Sequence, residues 1–122
     1  MNRRLRPILL AMVIAANPAF GHARLLSSSP SPNAQLVEAP KALTLTFSES
    51  AQLGVLKLSA SGRQIALQID RGAQATSVIT VNLPVLDPGT YEIEWSALAA
   101  DDGHVTKGRF SFTVVGSEKK PQ

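Results

Sequence analysis

The sequence predicts an all-β domain, a Greek-key sandwich or barrel of immunoglobulin-like type with about seven strands. Three observations carry this expectation. Apolar and polar residues alternate with period two in several short runs. Turn signals separate the runs at a spacing of roughly ten residues. Beyond residue 21 the chain shows no long helical period and no internal repeat.

The runs follow in chain order. Leu43-Thr44-Leu45-Thr46-Phe47 alternates cleanly, and Leu56 and Leu58 continue the pattern after Gly54. Ile65, Leu67 and Ile69 form the next alternating set, then Ile79, Val81 and Leu83. Tyr91, Ile93 and Trp95 follow, with Glu92 and Glu94 on the opposite face. Phe110, Phe112 and Val114 close the domain. Ser61-Gly62, Arg71-Gly72, Asp87-Pro88-Gly89 and Asp102-Gly103 supply the turns. Ser27 to Pro40 is rich in serine and proline, yet Leu25 and Leu26 precede it and Leu36 and Val37 punctuate it. We expect an ordered, extended run packed on the sandwich, because proline lowers the entropy lost on ordering. Trp95 and Tyr91 are expected in the core, with the Tyr91 hydroxyl at an edge.

The first 21 residues are set apart. Arg3, Arg4 and Arg6 form a basic start, Ile8 to Ala16 is an apolar stretch of nine residues, and Asn17-Pro18 breaks it. Ala19 and Gly21 then place small residues three and one positions before a cut, the pattern of a secretory signal. The apolar stretch is too short to span a bilayer. Residues 1–21 are thus expected as a signal peptide, 22–116 as the β domain and 117–122 as a polar tail, with the mature chain in the periplasm and not inserted in the membrane. A cut after Ala16 is the other good option and would leave His22 internal.

Charge and sulfur narrow the function. Of 12 basic and nine acidic residues, the three arginines leave with the signal, so the mature chain is near neutral. That excludes a nucleic-acid footprint. There is no cysteine, and both methionines, Met1 and Met12, fall in the signal. Disulfides, thiolate sites and thioether sites are therefore excluded. No histidine has the partners of a hydrolytic triad, and no phosphate loop is present.

Both histidines stand where a metal site would need them. His22 opens the expected mature chain, offering its α-amine and ring Nδ1 to one ion. His104 closes Asp101-Asp102-Gly103-His104. Gly103 lets the backbone turn so that Asp102 and His104, two apart, face the same way. Three nitrogens and one oxygen around a plane suit Cu(II). Taken alone, an Asp-Gly-His triplet is more often a hairpin turn with an Asx cap, and Asp101 is a rival for the carboxylate role.

Further motifs bind these features together. His22-Ala23-Arg24-Leu25, Ser28-Ser29-Pro30, Phe47-Ser48-Glu49, Pro88-Gly89-Thr90-Tyr91, Trp95, Asp102-Gly103-His104 and Gly108-Arg109-Phe110-Ser111-Phe112 occur in order. In this the chain resembles the CopC-type periplasmic copper-binding proteins, the PcoC type included, from His22 to about Val115. The resemblance implies a Cu(II) carrier or buffer in copper homeostasis or resistance, with His22, Asp102 and His104 as ligands. It places Glu49 near the site in a supporting or weak axial role, and it implies a CopD-like inner-membrane partner. Some members of the family add a Met-rich Cu(I) loop with a further histidine. The corresponding region here, about Leu53 to Gln74, contains neither residue type, so a Cu(II)-only member without enzymatic activity is expected. Two other classes share parts of the pattern. A copper oxygenase would use a histidine brace, but needs an open coordination position and surface aromatics. A metal-free immunoglobulin-like structural module would not need His22 at the mature N-terminus.

Overall fold

A computed structural model describes residues 23–116, and within them every regular element is a strand. The expected signal peptide, His22 and the tail 117–122 lie outside the described residues. Seven strands follow in order: β1 (Leu25–Ser29), β2 (Gln35–Leu36), β3 (Ala42–Ala60), β4 (Arg63–Ile65), β5 (Thr76–Asn82), β6 (Gly89–Ala99) and β7 (Val105–Val114). Among the described residues no helix is long and apolar enough to cross a membrane.

Strand β3 organises the domain. At 19 residues it would extend roughly 60 Å if straight, far beyond the width of a domain this size. It bends instead, and its two halves serve two sets of partners. The first half pairs with β1 and β5, from Leu25↔Phe47 and Ala42↔Asn82 onward. The second half pairs with β6 from Ala51↔Ala99 to Ser59↔Glu92, and turns into β4 at Leu58↔Ile65. Strands β6 and β7 form a ten-rung antiparallel hairpin, and β2 closes on β7 in parallel at Gln35↔Thr113. A strand that switches partners at a bend is how one sheet folds over itself to enclose a core.

The alternation read from the sequence is the alternation of burial. Leu43, Leu45 and Phe47 point inward on the first half of β3, and Tyr91, Ile93, Trp95, Ala97 and Ala99 do so on β6. On the second half of β3 the inward set is Leu56 and Leu58, of opposite parity. The change falls at Gly54, where the register slips between Leu53 and Val55, a bulge that adds one residue and exchanges the two faces. Phe47 meets Trp95 edge-on, with ring centroids 5.4 Å apart, and Tyr91 stacks on Phe112 at 5.5 Å. The Tyr91 hydroxyl donates to the Asp87 carbonyl at 2.5 Å, which satisfies its polar end at the rim.

One expectation is modified and another holds except at two side chains. Strand pairing at Ile65 does not continue through Leu67 and Ile69; these two pack against the core from a segment with no ladder partner. Ser27 to Pro40 is ordered, through β1, β2 and the bonds from Asn33 N to Ser111 O and from Thr113 N to Ala34 O. Leu36 packs inward, whereas Leu26 and Val37 stay exposed.

Trp95 covers Gly108, its partner across the β6–β7 ladder. A Cβ at Gly108 would lie 3.1–3.2 Å from three atoms of the indole ring. Gly108→Ala is therefore expected to destabilise the domain by about 1–3 kcal/mol, because the ring is wedged against Phe47 and cannot give. Chemical denaturation followed by the emission of Trp95, the sole tryptophan, measures this. An unchanged midpoint would show that the ring moves aside freely.

Candidate metal centre

The β6–β7 turn carries the centre of interest. Its backbone is closed by Ala99 N to His104 O and Gly103 N to Ala99 O, both 2.9 Å. Ala100 N also donates to Ser50 O at 3.0 Å, which ties the turn to the bend of β3. Gly103 has φ 73°, a left-handed conformation that strains any residue with a Cβ. That single residue reverses the chain and brings the side chains on either side of it together.

The result is a tight carboxylate–imidazole pair. Asp102 Oδ1 accepts from the His104 backbone N–H at 3.0 Å, the Asx cap expected of this triplet. Asp102 Oδ2 lies 2.7 Å from His104 Nδ1. A carboxylate oxygen can only accept, so Nδ1 carries the proton in this contact and Nε2 is the acceptor nitrogen of the neutral ring. The pair sits at the surface, with side-chain exposures of 61% for His104 and 31% for Asp102, open to an incoming ion. Asp101 is exposed, and among the described residues no hydrogen bond or ion pair joins it to His104.

The remaining candidates stand apart from the pair. Glu49 is half-buried at the bend of β3, with the parity of Phe47 and Ala51. Among the described residues no group of three His, Asp or Glu side chains forms a metal-holding cluster. Trp95 lies deeper, with Ala97 and Ala99 filling the layers of β6 between its ring and the turn. His22 lies outside the described residues, but the chain next to it does not. Ala23 is fully buried. Its carbonyl accepts from Thr106 Oγ1 at 2.8 Å, and Arg24 is held by Ser48 through both N–H···Oγ at 2.9 Å and the Ser48 N to Arg24 O bond at 2.8 Å. Thr106 is two residues after His104 on β7. Sequence reasoning passed over Thr106 and Ser48 as contact residues, since these hydrogen bonds span 83 and 24 residues and leave no local signal.

The described residues thus form a small all-β domain that presents a carboxylate–imidazole pair at one end, beside the entry of its own N-terminal segment. Residues 25–115 match the family model of the CopC domain, and the chain belongs to the CopC family. It is 33% identical to Protein YobA of Escherichia coli (strain K12) over 111 residues, covering 87% of this chain and 89% of that protein. Copper resistance protein C of Xanthomonas campestris pv. juglandis is 31% identical over 117 residues, covering 88% and 91%. Copper transport protein CutJ of Bacillus subtilis (strain 168) is 28% identical over 88% of this chain, but the match spans only 20% of that protein. The fold is similar to the crystal structure of CopC from Methylosinus trichosporium OB3b, with a TM-score of 0.66 and 25% identity over 82% of this chain and 100% of the other. PcoC, a methionine-rich copper resistance protein from Escherichia coli, gives a TM-score of 0.62 with 29% identity over 76% and 98%.

Proposed function

We propose that this protein is a periplasmic Cu(II) carrier or buffer in copper homeostasis or resistance, and that its site is made by His22, Asp102 and His104. The observation that carries this reading is the Asp102–His104 pair. Its 2.7 Å oxygen–nitrogen contact fixes the imidazole through Nδ1 and leaves Nε2 as the donor nitrogen open to an ion. The donor chemistry agrees, since an imidazole and a carboxylate suit a borderline divalent ion of tetragonal preference. The anchoring of Ala23 supports the third ligand, because the α-carbon before it is one peptide step away, about 3.8 Å. Relatives named for copper resistance and copper transport support the metal.

The protein delivers or stores the ion and breaks no bonds. Asp102 either coordinates directly or holds His104 through Nδ1 and so raises the basicity of Nε2. The leader, cut before His22, supports the periplasmic placement and supplies the free amine. We assign the receiving or donating partner as a CopD-like inner-membrane protein. In support, a matching unit forms one fifth of the copper transport protein CutJ, where it is joined to further sequence in one chain.

Competition titrations against Cu(II)-selective and Cu(I)-selective chelators test the reading. With only nitrogen and oxygen donors in the mature chain, Cu(II) should bind far more tightly than Cu(I), and more tightly than Zn(II). The absorption spectrum should be tetragonal, with no intense thiolate band. Cu(I) affinity equal to or above that for Cu(II) overturns the assignment.

A further inference from the structure

We propose that Thr106 and Ser48 are positioning residues for the metal site. They hold the chain at Ala23 and Arg24 so that the residue before them is presented to the Asp102–His104 pair. The proposal rests on the reading of His22 as a ligand and adds to it the device that holds that ligand in place.

Chain termini fray unless something ties them down, and a metal site tolerates displacements of only a few tenths of an ångström. Here the tie comes from two sides. Thr106 Oγ1 donates to the Ala23 carbonyl from β7, and the Ala23 side chain is fully buried. A carbonyl on so buried a residue needs a donor, and the hydroxyl supplies it. From the bend of β3, Ser48 holds both the N–H and the carbonyl of Arg24. These bonds act one and two residues from His22, not on His22 itself. Thr106 also lies two residues past His104, which closes the β6–β7 turn: β7 starts at Val105 and the Ala97↔Thr106 rung follows directly. The turn that carries one ligand thus runs directly into the strand that anchors another, so a short stretch of backbone sets their spacing.

A hydroxyl that merely stabilised the fold would make no distinction between ligands. The test is a set of variants made in protein beginning at His22: Thr106→Val, Thr106→Ser and Ser48→Ala, each with and without His22→Ala preceded by one added glycine. Cu(II) affinity is read by competition titration, the ligand set by electron paramagnetic resonance, and the fold by apo-protein melting. Thr106→Val should weaken Cu(II) binding by about 10-fold, the loss typical of removing an outer-shell partner. Its spectrum should shift toward that of His22→Ala. Thr106→Ser keeps the hydroxyl and should restore both. Ser48→Ala, which loses the acceptor for the Arg24 N–H but keeps the backbone bond to the Arg24 carbonyl, should move both readouts in the same direction and by less. Where His22→Ala is combined with one glycine added before it, so that both the imidazole and the free amine of that position are removed, none of the three should change affinity further. Unchanged affinity in Thr106→Val overturns the proposal. So does an equal loss with and without His22, which would mean that the hydroxyl acts on His104 or on the fold. If His22→Ala alone leaves affinity unchanged, the ligand assignment itself falls, and this proposal with it.

Discussion

His104→Ala should abolish tight Cu(II) binding and leave the fold standing. The imidazole is the one side-chain nitrogen donor within the described residues of the site, and the described residues contain no cysteine or methionine to replace it. Its loss should exceed the roughly 10–100-fold effect of deleting an outer-shell partner. Stability should change little, within about 0.5 kcal/mol, because the side chain is 61% exposed. Asp102→Ala should weaken binding less, since water can take the place of a carboxylate oxygen. The structure adds a second cost there, because Asp102 also caps the His104 N–H and orients its ring. Asp102→Asn keeps an oxygen to accept from that N–H and removes the charge, so it separates capping from coordination. Asp101→Ala should matter little. Competition titration of the four variants, with apo-protein melting as the fold control, ranks them. If Asp101→Ala proves more damaging than Asp102→Ala, the carboxylate has been assigned to the wrong residue.

The residues that made this turn legible are local. Gly103 between an aspartate and a histidine signals a reversal, and the structure gives it the left-handed φ that only glycine adopts freely. The long strands were legible for the same reason: period-two burial follows directly from the pleat, as in Leu43, Leu45 and Phe47. Alternation reports a buried face, however, and not a ladder partner. Ile65, Leu67 and Ile69 share one face against the core, yet pairing stops at Ile65. Strand β1 (LLSSS) carries no alternation and exists because the first half of β3 offers it an edge. The same limit applies to the site. Thr106 carries no signal in the sequence, and Ser48 stands out only within Phe47-Ser48-Glu49, not as a contact of the chain's start. Their bonds to Ala23 and Arg24 depend on where the folded sheet brings the chain's start, which local pattern does not encode.

The largest test of the whole reading is the addition of one residue before His22. If the α-amine is a ligand, a single extra Gly should break the chelate even though both imidazoles remain. The amine nitrogen becomes an amide, which binds an ion only after giving up its proton, and the small ring formed with Nδ1 is lost. Metal binding releases protons from such donors, so affinity in the unextended protein should also fall as the solution is acidified. The extended protein should lose the amine's share of that dependence. The fold should be indifferent to the extension. Its core begins at Ala23, one residue past His22, and the anchors at Ala23 and Arg24 act through groups that the extension leaves untouched. Cu(II) affinity, its pH dependence and apo-protein melting are compared for protein beginning at His22 and protein beginning one glycine earlier. A large loss of affinity at constant melting temperature places the amine in the coordination sphere. Equal affinity in the two proteins would remove it, and would leave a site built from side chains alone.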